Sequence, residues 1–380
     1  MNDFNSFFMG GFECADHINR SGERVNLLKE TQHDIRFFED YEALYDIGIK
    51  TVREGICWSA VEIAPGIFDF SEVHNRMKGA EKFGIQQIWD LIHFGYPDGL
   101  VPTHPLFCVR FEKLCEAFAT FYKQHSKQPL YVVPINEISF LSWHSGDVRG
   151  TVPFAVNSGW DIKYHLCKAA IAGIKVLKKT DPDCRVILVE PLVKIHATNA
   201  DNLNHANDMN EHQFQAMDII AGRMCPELGG SETLLEILGF NYYWNCQWHI
   251  HGESLDWPEK EKRRMPFSEL LQWAYERYQK PVFISETGHF GEGRVEWLEE
   301  ITQECLEAQK NGVDLRGICI YPVTDRPDWD DLKCYCHCGI YDLDENSNRI
   351  PHDEYIEALL QAQKDFKKKT LINQLVDFFR

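Results

Sequence analysis

Tyr131-Val132-Val133-Pro134-Ile135-Asn136-Glu137 is an apolar run that ends abruptly in an amide and a carboxylate. Such a run is typical of a buried strand in a parallel sheet. Polar groups at the carboxyl end of such a strand lie where open α/β sheets and (β/α)8 barrels place their active sites. A second stretch, Pro281-Val282-Phe283-Ile284-Ser285-Glu286, repeats the pattern. The sequence therefore indicates two strand-end glutamates, Glu137 and Glu286, as candidate functional groups.

The order of predicted strands and helices decides the fold class. Apolar runs alternate with segments of helical spacing along all 380 residues. Eight strands are predicted, at 7–12, 51–56, 87–92, 131–135, 185–189, 236–241, 281–286 and 317–321. Strict alternation of strand and helix implies a parallel sheet, and eight units close a barrel. We predict an α/β fold, a single (β/α)8 TIM barrel over residues 1–380 with a C-terminal helix.

The alternative to a barrel is an open doubly wound sheet. No glycine-rich phosphate loop follows the first strand, which favours the barrel. Three long connections are predicted to lack regular structure. They are a loop after Glu137 that contains Trp143, a His- and Asn-rich surface loop over Lys194–Asn210, and a charged, exposed stretch over Trp257–Met265.

Composition narrows the class of partner and the compartment. A net charge of −19 argues against nucleic acid or an anionic membrane as the main partner. The chain has 13 cysteines, an odd number at scattered spacings, and it begins Met1-Asn2-Asp3, with no basic region typical of a secretory leader. We therefore expect reduced thiols and a cytoplasmic protein. No apolar run approaches the ~20 residues of a membrane helix.

The two glutamates have the residue type that cleavage of a glycosidic bond needs. One carboxyl donates a proton to the leaving oxygen, and the other, ionised, attacks the sugar or stabilises its cation. A separation of ~5–5.5 Å suits a retaining mechanism, and ~6.5–9.5 Å an inverting one. Each glutamate could instead cap a loop amide. The fourth and seventh strands of a barrel lie on opposite sides of its mouth, which favours a functional pair.

Several strand ends resemble the family 1 β-glycosidases, a group within clan A of the glycoside hydrolases. The family has Asn-Glu-Pro at its fourth strand, where this chain has Asn136-Glu137-Ile138. It has Glu-Asn-Gly at the seventh, where this chain has Glu286-Thr287-Gly288. Four further motifs match in order and spacing, and they are Arg53-Glu54-Gly55-Ile56-Cys57-Trp58-Ser59, His93-Phe94-Gly95-Tyr96-Pro97, Leu238-Gly239-Phe240-Asn241-Tyr242-Tyr243 and Tyr321-Pro322-Val323-Thr324-Asp325-Arg326-Pro327-Asp328-Trp329.

The resemblance implies a retaining β-glycosidase that forms a covalent glycosyl-enzyme intermediate, without a cofactor or metal. It makes Glu137 the acid/base and Glu286 the nucleophile. It also implies that seven residues contact the glycoside substrate or its nucleophile, and they are His17, Arg53, His93, Asn136, Tyr243, Asp328 and Trp329.

Each implied contact has its own chemistry. Asn136 would donate to the sugar 2-hydroxyl. Arg53 would keep Glu286 ionised, because a nearby cation favours the charged form. Tyr243 would hydrogen-bond Glu286. His93 would contact a sugar hydroxyl and Trp329 would stack on the sugar ring. For Tyr243, His93 and Trp329, the alternative is a purely structural role.

The chain departs from the family where the sugar is recognised. His17 stands at the position of the family's glutamine, Asp328 at that of its glutamate, and Tyr321 at that of its tryptophan. The resemblance therefore carries over the chemistry but not a preference for glucose or galactose. Two other functions stay open, a transglycosidase on the same barrel and a non-catalytic barrel that binds a carbohydrate or protein.

Two further features have alternative interpretations. Cys334-Tyr335-Cys336-His337-Cys338 holds three thiols, but zinc sites usually space their cysteines two to four residues apart with a second pair elsewhere. The alternating spacing favours a loop over a metal site. Glu190 also ends a predicted strand, and it could be a third carboxylate of the cleft or a structural ion-pair partner.

Overall fold

The computed structural model describes residues 3–258 and 263–378, of which 369–378 are described by their backbone alone. Its centre is a closed barrel of parallel strands. In chain order, the barrel strands are β1 (Phe8–Gly11), β2 (Thr51–Gly55), β3 (Gln86–Ile92), β4 (Tyr131–Ile135), β5 (Arg185–Pro191), β6 (Ile237–Asn241), β7 (Val282–Thr287) and β8 (Leu315–Ile320). Each strand pairs with the next, and β8 pairs with β1 to close the ring. The predicted (β/α)8 fold is confirmed.

The barrel interior is filled by side chains from alternate strand positions. Seven of the strands contribute apolar residues to one buried cluster inside the ring, including Met9, Ile88 and Phe283. In β2, the corresponding position is occupied by Arg53, whose side chain reaches across the barrel. The interior is therefore apolar at the bottom and polar near the carboxyl ends of the strands, where Arg53 meets its partners.

The outside of the barrel is covered by helices with one apolar face. The α-helices are Leu27–Glu30, His33–Asp46, Trp58–Val61, Ser71–Phe83, Phe107–His125, Ile138–Gly146, Gly159–Thr180, Leu203–His212, Gln215–Ile220, Phe267–Tyr278, Gly293–Lys310 and Asp353–Phe378. Short strand pairs outside the barrel join Glu62–Ala64 to Ile67–Phe68, Lys194–His196 to Gln247–His249, and Tyr341–Leu343 to Arg349–Pro351. Turns of 3-10 helix lie at Ala200–Asn202, Pro226–Leu228 and Glu232–Leu234.

The C-terminal helix closes the outer layer against the start of the chain. Phe366 packs on Phe7 and Phe8, with ring centroids 4.3 and 5.4 Å apart. Tyr355 and Leu359 on the same helix are also buried. These contacts join the last helix to the strand that begins the barrel.

The segment after β4 differs from its prediction. A helix, Ile138–Gly146, begins directly after Glu137 where a loop was predicted, and Trp143 lies on it. The sequence gives little sign of this helix, because its N-cap residue is Glu137 and not one of the preferred Ser, Thr, Asp or Asn. In the structure, the Glu137 side chain makes no capping hydrogen bond. The predicted loop is real only over residues 147–158, between this helix and Gly159–Thr180.

Two other connections are also more ordered than predicted. Lys194–Asn210 contains a strand, a turn of 3-10 helix and most of the helix Leu203–His212, instead of a plain surface loop. The 3-10 turn, which leads directly into that helix, begins with a capping box in which the Asn199 side chain accepts from the backbone N–H groups of Asp201 and Asn202. In the charged stretch near 260, Trp257 is buried, and residues 259–262 lie outside the described residues.

The thiols and the helices bear on where the protein resides. All thirteen cysteines lie within the described residues and carry free thiols. Across residues 3–258 and 263–378, no helix is long and apolar enough to cross a membrane. The cytoplasmic location stays a prediction.

Candidate active site

Glu286 lies near the carboxyl end of β7 with both carboxylate oxygens engaged. The guanidinium Nη1 of Arg53 donates to Oε1 at 2.7 Å, and the hydroxyl of Tyr243 donates to Oε2 at 2.8 Å. The side chain is 6% exposed. A cation and a phenol therefore fix the orientation of this carboxylate, and these are the two residues for which the resemblance implies contact with Glu286.

Arg53 is the centre of the polar network. Its Nε and Nη2 donate to the two carboxylate oxygens of Asp90 at 3.0 and 2.6 Å, which is a bidentate pair. Its Nη2 also donates to Oδ1 of Asn136 at 2.7 Å. A buried charge needs partners of this kind. Arg53 thus joins β2, β3, β4 and β7 across the barrel.

Glu137 lies on the opposite side of this network, directly after β4. Its Oε1 accepts a hydrogen bond from Nδ2 of Asn241 at 2.9 Å. Its backbone is in the left-handed region, with φ at +46°, an uncommon conformation for a residue other than glycine. The carboxyl is held by Asn241, and the charge of Glu286 is near enough to act on it.

Burial raises the pKa of both carboxyl groups. Burial raises the pKa of Glu137 well above its ordinary range, and the charge of Glu286 raises it further, while Asn241 lowers it. Burial also raises the pKa of Glu286, but Arg53 and His93 lower it. The predicted effect of Arg53 on Glu286 is therefore present, although burial outweighs it. Among the described residues, a cation donates a hydrogen bond to Glu286 but none does so to Glu137.

His93 follows β3 and is part of the same buried cluster. Its Nδ1 lies 2.9 Å from Oδ2 of Asp90, and its Nε2 lies 3.4 Å from both Nδ2 of Asn136 and the hydroxyl of Tyr321. Burial lowers the pKa of His93, but Asp90 and Glu286 raise it by more. The pKa of His93 is therefore raised, which favours the cationic form of its imidazole.

Two residues of the network, Asp90 and Asn241, were not predicted from the sequence. Asp90 is a charge inside the apolar strand β3, the same signal that marked Arg53 as needing a partner. Asn241 ends β6 as Asn136 follows β4, and its Oδ1 accepts from the Ser285 hydroxyl at 2.6 Å. Strand-end position alone could have found Asn241.

An unexpected ion pair borders the cluster. Nε of Arg326 lies 3.2 Å from Oε2 of Glu13, and both residues are on loops that follow barrel strands. Oε1 of Glu13 accepts from the backbone N–H groups of Cys14 and Ala15 at 3.0 and 3.1 Å, and it lies 3.7 Å from Nε2 of His93. No local sequence signal pairs Glu13 with Arg326, because 313 residues separate them.

Aromatic rings from three loops and from the helix Ile138–Gly146 meet at the barrel mouth. The ring of Trp329 lies 4.8 Å from that of His17 and 5.4 Å from that of Phe94, centroid to centroid. Phe140 and His144 pack on the same cluster. Burial lowers the pKa of His17 to about 3, so its imidazole is neutral at physiological pH. Within the described residues, Nδ1 of His17 and Nε1 of Trp329 are buried without a hydrogen-bond partner.

Asp328 does not join this cluster. Its side chain is exposed, and Oδ1 accepts from the backbone N–H groups of Asp330 and Asp331 at 2.8 and 3.2 Å. The carboxylate thus shapes the turn that carries Trp329. The other six predicted substrate-contacting residues lie in the network or the aromatic cluster.

Two groups of side chains have spacing compatible with a metal ion. The first group consists of Cys14, Asp90 and His93, and in it Arg53 already binds both carboxylate oxygens of Asp90. The second group consists of Asp325, His337 and Asp342, and in it Arg294 donates to Oδ1 of Asp342 at 2.8 Å. Arginine cations therefore hold a carboxylate in each group.

The cysteine motif lies in the loop after β8. Cys338 donates its thiol to Oδ1 of Asp325 at 3.5 Å, and Arg326 donates Nη1 to the sulfur of Cys336 at 3.7 Å. The motif therefore forms hydrogen bonds within the loop that carries Arg326.

Comparisons with known proteins agree with this fold. No family model matches the chain. It is 22% identical over 356 residues to the 6-phospho-β-glucosidase AscB of Escherichia coli (strain K12), covering 76% of this chain and 74% of that protein. It is 23% identical over 371 residues to the aryl-phospho-β-D-glucosidase BglA of Bacillus subtilis (strain 168), covering 76% of each.

Solved structures of β-glucosidases have the same fold as this chain. A β-glucosidase from Thermotoga maritima in complex with glucoimidazole superposes with a TM-score of 0.77 at 15% identity, covering 95% of this chain and 99% of that one. A family 1 β-glucosidase from the same organism gives a TM-score of 0.72 at 15% identity, with 88% and 87% covered. The chain is a (β/α)8 barrel that resembles the family 1 β-glycosidases, and its low identity marks it as a divergent relative.

Proposed function

We propose that this protein is a retaining β-glycosidase. The observation that carries the proposal is the pairing of Glu137 and Glu286 in one buried network, where Arg53 and Tyr243 hold Glu286 and only an amide holds Glu137. A general acid needs a raised pKa, and a nucleophile needs its charged form stabilised. The names of the relatives, β-glucosidases and phospho-β-glucosidases, support the same class.

The proposed reaction has two steps. In the first, an oxygen of Glu286 bonds to the anomeric carbon while the bond to the leaving oxygen breaks, and that oxygen takes the proton of Glu137. In the second, Glu137 takes a proton from water, the water oxygen bonds to the anomeric carbon, and the bond to Glu286 breaks. Two displacements on one carbon return the original anomeric configuration.

The other polar residues have supporting roles in this proposal. Asn136 and His93 lie in the same buried network, with Nδ2 of Asn136 3.4 Å from Nε2 of His93, and both nitrogens would contact sugar hydroxyls. Trp329 and His17 have buried nitrogens without partners, and sugar oxygens would satisfy them. Asp328 would act through the turn that carries Trp329.

The test assigns each glutamate its own kinetic signature. We expect Glu286→Ala to lower kcat by at least about 10⁴-fold on aryl β-glycosides, with partial rescue by azide that gives an inverted glycosyl azide. We expect Glu137→Ala to lose ~10²–10⁴-fold in kcat/KM on substrates with poor leaving groups and little on activated phenols. A 2-fluoro glycoside with a good leaving group should attach to Glu286, as read by peptide mass spectrometry.

The outcomes separate the alternatives. An adduct on another carboxylate, or inverted product from the wild-type protein, would overturn the assigned roles. Product transfer to an added sugar in preference to water would identify a transglycosidase. No turnover across a broad panel of aryl glycosides, with sugar binding retained, would identify a non-catalytic carbohydrate-binding barrel.

A further inference from the structure

Glu190 is a buried carboxylate beside the site that the proposed reaction does not use. It lies on β5, next to β4, and is 3% exposed. Its two oxygens both accept from the backbone N–H of Ser139, at 3.2 and 3.1 Å. The ammonium of Lys163 acts on Glu190 through its charge but donates its hydrogen bond to Gln215 at 3.0 Å. Glu190 is therefore bound chiefly to Ser139, at the start of a helix, and the backbone N–H of Ile138 also stabilises its charge.

The N–H of Ser139 that binds Glu190 lies at the start of a helix. Ser139 is the second residue of the helix Ile138–Gly146, and Glu137 occupies the N-cap position just before it. A capping side chain normally accepts from the second or third N–H of its own helix. Glu137 makes no such bond and instead turns its carboxyl to Asn241. Glu190 occupies the acceptor position that Glu137 leaves empty.

The backbone around Glu137 is fixed from the same strand. The N–H of Glu137 donates to the carbonyl of Val189 at 3.0 Å, one residue before Glu190. Two consecutive residues of β5 therefore bind the chain on either side of the left-handed turn at Glu137. Left-handed backbone at a residue with a side chain persists only when its surroundings hold it.

We propose that Glu190 is a positioning residue, which caps the helix after Glu137 from the neighbouring strand and so leaves the Glu137 carboxyl free to act as acid and base. This inference rests on the proposed function. Removing the cap should let the Glu137 backbone relax toward an ordinary conformation and move its carboxyl away from the leaving oxygen. A displacement of about 1 Å can cost ~100-fold in rate.

The test compares leaving groups, because a poor leaving group needs a proton from the general acid to depart, whereas an activated phenolate does not. We expect Glu190→Ala to lower kcat/KM about 10- to 100-fold on aryl glycosides with poor leaving groups and to leave kcat/KM on a dinitrophenyl glycoside within about threefold. Glu190→Gln keeps an oxygen that can accept from Ser139 and should restore most of the loss. A role in stability alone would change both substrates equally.

A second variant cuts the same contact from the other side. Proline has no N–H, and the N–H groups of the first helical turn have no partner within the helix, so Ser139→Pro removes the donor to Glu190 without breaking a bond of the helix itself. It should give the same leaving-group-dependent loss, and it decides the question if Glu190→Ala does not fold. Glu236→Ala is the matched control. Glu236 accepts from the backbone N–H of Val186 at 2.8 Å at the other end of β5, away from the site.

Three results would overturn the proposal. They are an equal loss on both leaving groups in Glu190→Ala and Ser139→Pro, no loss in either variant, or the same leaving-group dependence in Glu236→Ala. Failure of the proposed function is recognised separately. In that case the wild-type protein turns over no glycoside, or Glu137→Ala itself shows no dependence on the leaving group.

Discussion

At the scale of single residues, Arg53 is the side chain on which the candidate site depends most. It binds Asp90, Asn136 and Glu286 at once, from a position inside the barrel where the other strands place apolar residues. The guanidinium is suited to this because its fork of donors can bind several acceptors in fixed directions. A lysine would bring the charge without the fork.

We predict that Arg53→Met moves the acidic limb of the pH profile. Arg53 lowers the pKa of Glu286, so its removal raises that pKa. Glu286 must be ionised to attack, and the low-pH limb of kcat/KM should therefore shift to higher pH. Arg53→Lys should shift it less. An acidic limb that stays in place in Arg53→Met would show that another group controls it.

The same substitution should weaken the fold. Without its partner cation, the Asp90 carboxylate stays buried and loses two charge-assisted hydrogen bonds. Breaking a buried pair by removing one partner costs about 3–5 kcal/mol. Urea unfolding of Arg53→Met gives this cost, and the pH profile must be measured where the variant is still folded.

At the scale of elements, β2 is attached to its two covering helices by a second buried ionic cluster. Glu54 points outward from β2, and Oε1 lies 3.0 Å from Nε2 of His33. Tyr41 donates to the same oxygen, and Arg76 donates to Oε2. His33 and Tyr41 lie on one helix and Arg76 on the next. The cluster thus fixes helices His33–Asp46 and Ser71–Phe83 on the strand that presents Arg53.

We predict that this cluster makes stability depend on pH. Although burial acts to raise it, the charges of His33 and Arg76 bring the pKa of Glu54 down from 4.5 to about 2. The stability that Glu54 contributes is therefore complete above about pH 4.5 and is lost as the pH falls toward 2. The pKa of His33 is raised from 6.5, so its contribution is complete below that pH and is lost at higher pH.

Urea unfolding across this range is the measurement. Glu54→Ala should lower the free energy of unfolding at pH 5.5 by about 3–5 kcal/mol, because Arg76 and His33 stay buried without their acceptor. Glu39→Ala is the control, since it removes an exposed acid from the helix His33–Asp46, which packs on Glu54, and should change stability by less than about 1 kcal/mol. Equal effects in the two variants would contradict the prediction.

At the scale of the whole molecule, charge and pocket chemistry together bear on the substrate. The chain carries a net charge of −19, and the arginines near the candidate site are paired, Arg53 with Asp90 and Glu286, and Arg326 with Glu13. The relatives in Escherichia coli and Bacillus subtilis are named for phosphorylated glucosides. A doubly charged phosphate would meet no unpaired arginine among these two.

We therefore predict poor activity on both 6-phospho-β-glucosides and simple β-glucosides, and better activity on another β-linked sugar. The expected poor activity on simple β-glucosides rests on His17, which supplies one donor and one acceptor where the amide of a glutamine offers two donors. It also rests on Asp328, whose carboxylate is held by the turn of its own loop. The kcat/KM values of a panel of aryl β-glycosides measure it, and ordinary rates on glucoside and galactoside would contradict it.

Much of the candidate site could be predicted from the sequence alone, because it depends on local patterns. Apolar runs ending in Glu137 and Glu286 marked two strand ends, and parallel strands of a barrel bring their carboxyl ends to one face. Arg53 inside an apolar run marked a buried charge that needed a partner. The barrel, with its eight strands near their predicted bounds, follows from the same alternation of strand and helix.

Only the tertiary structure decided the contacts between distant segments. The pairing of Glu13 with Arg326 and the turning of Asp328 away from the aromatic cluster depend on how separate loops meet. The helix after Glu137 is the clearest case. Its cap comes from Glu190 on another strand, 51 residues from Ser139, so no pattern within the helix could reveal it. Local propensity determined which segments form strands, whereas packing determined which side chains meet.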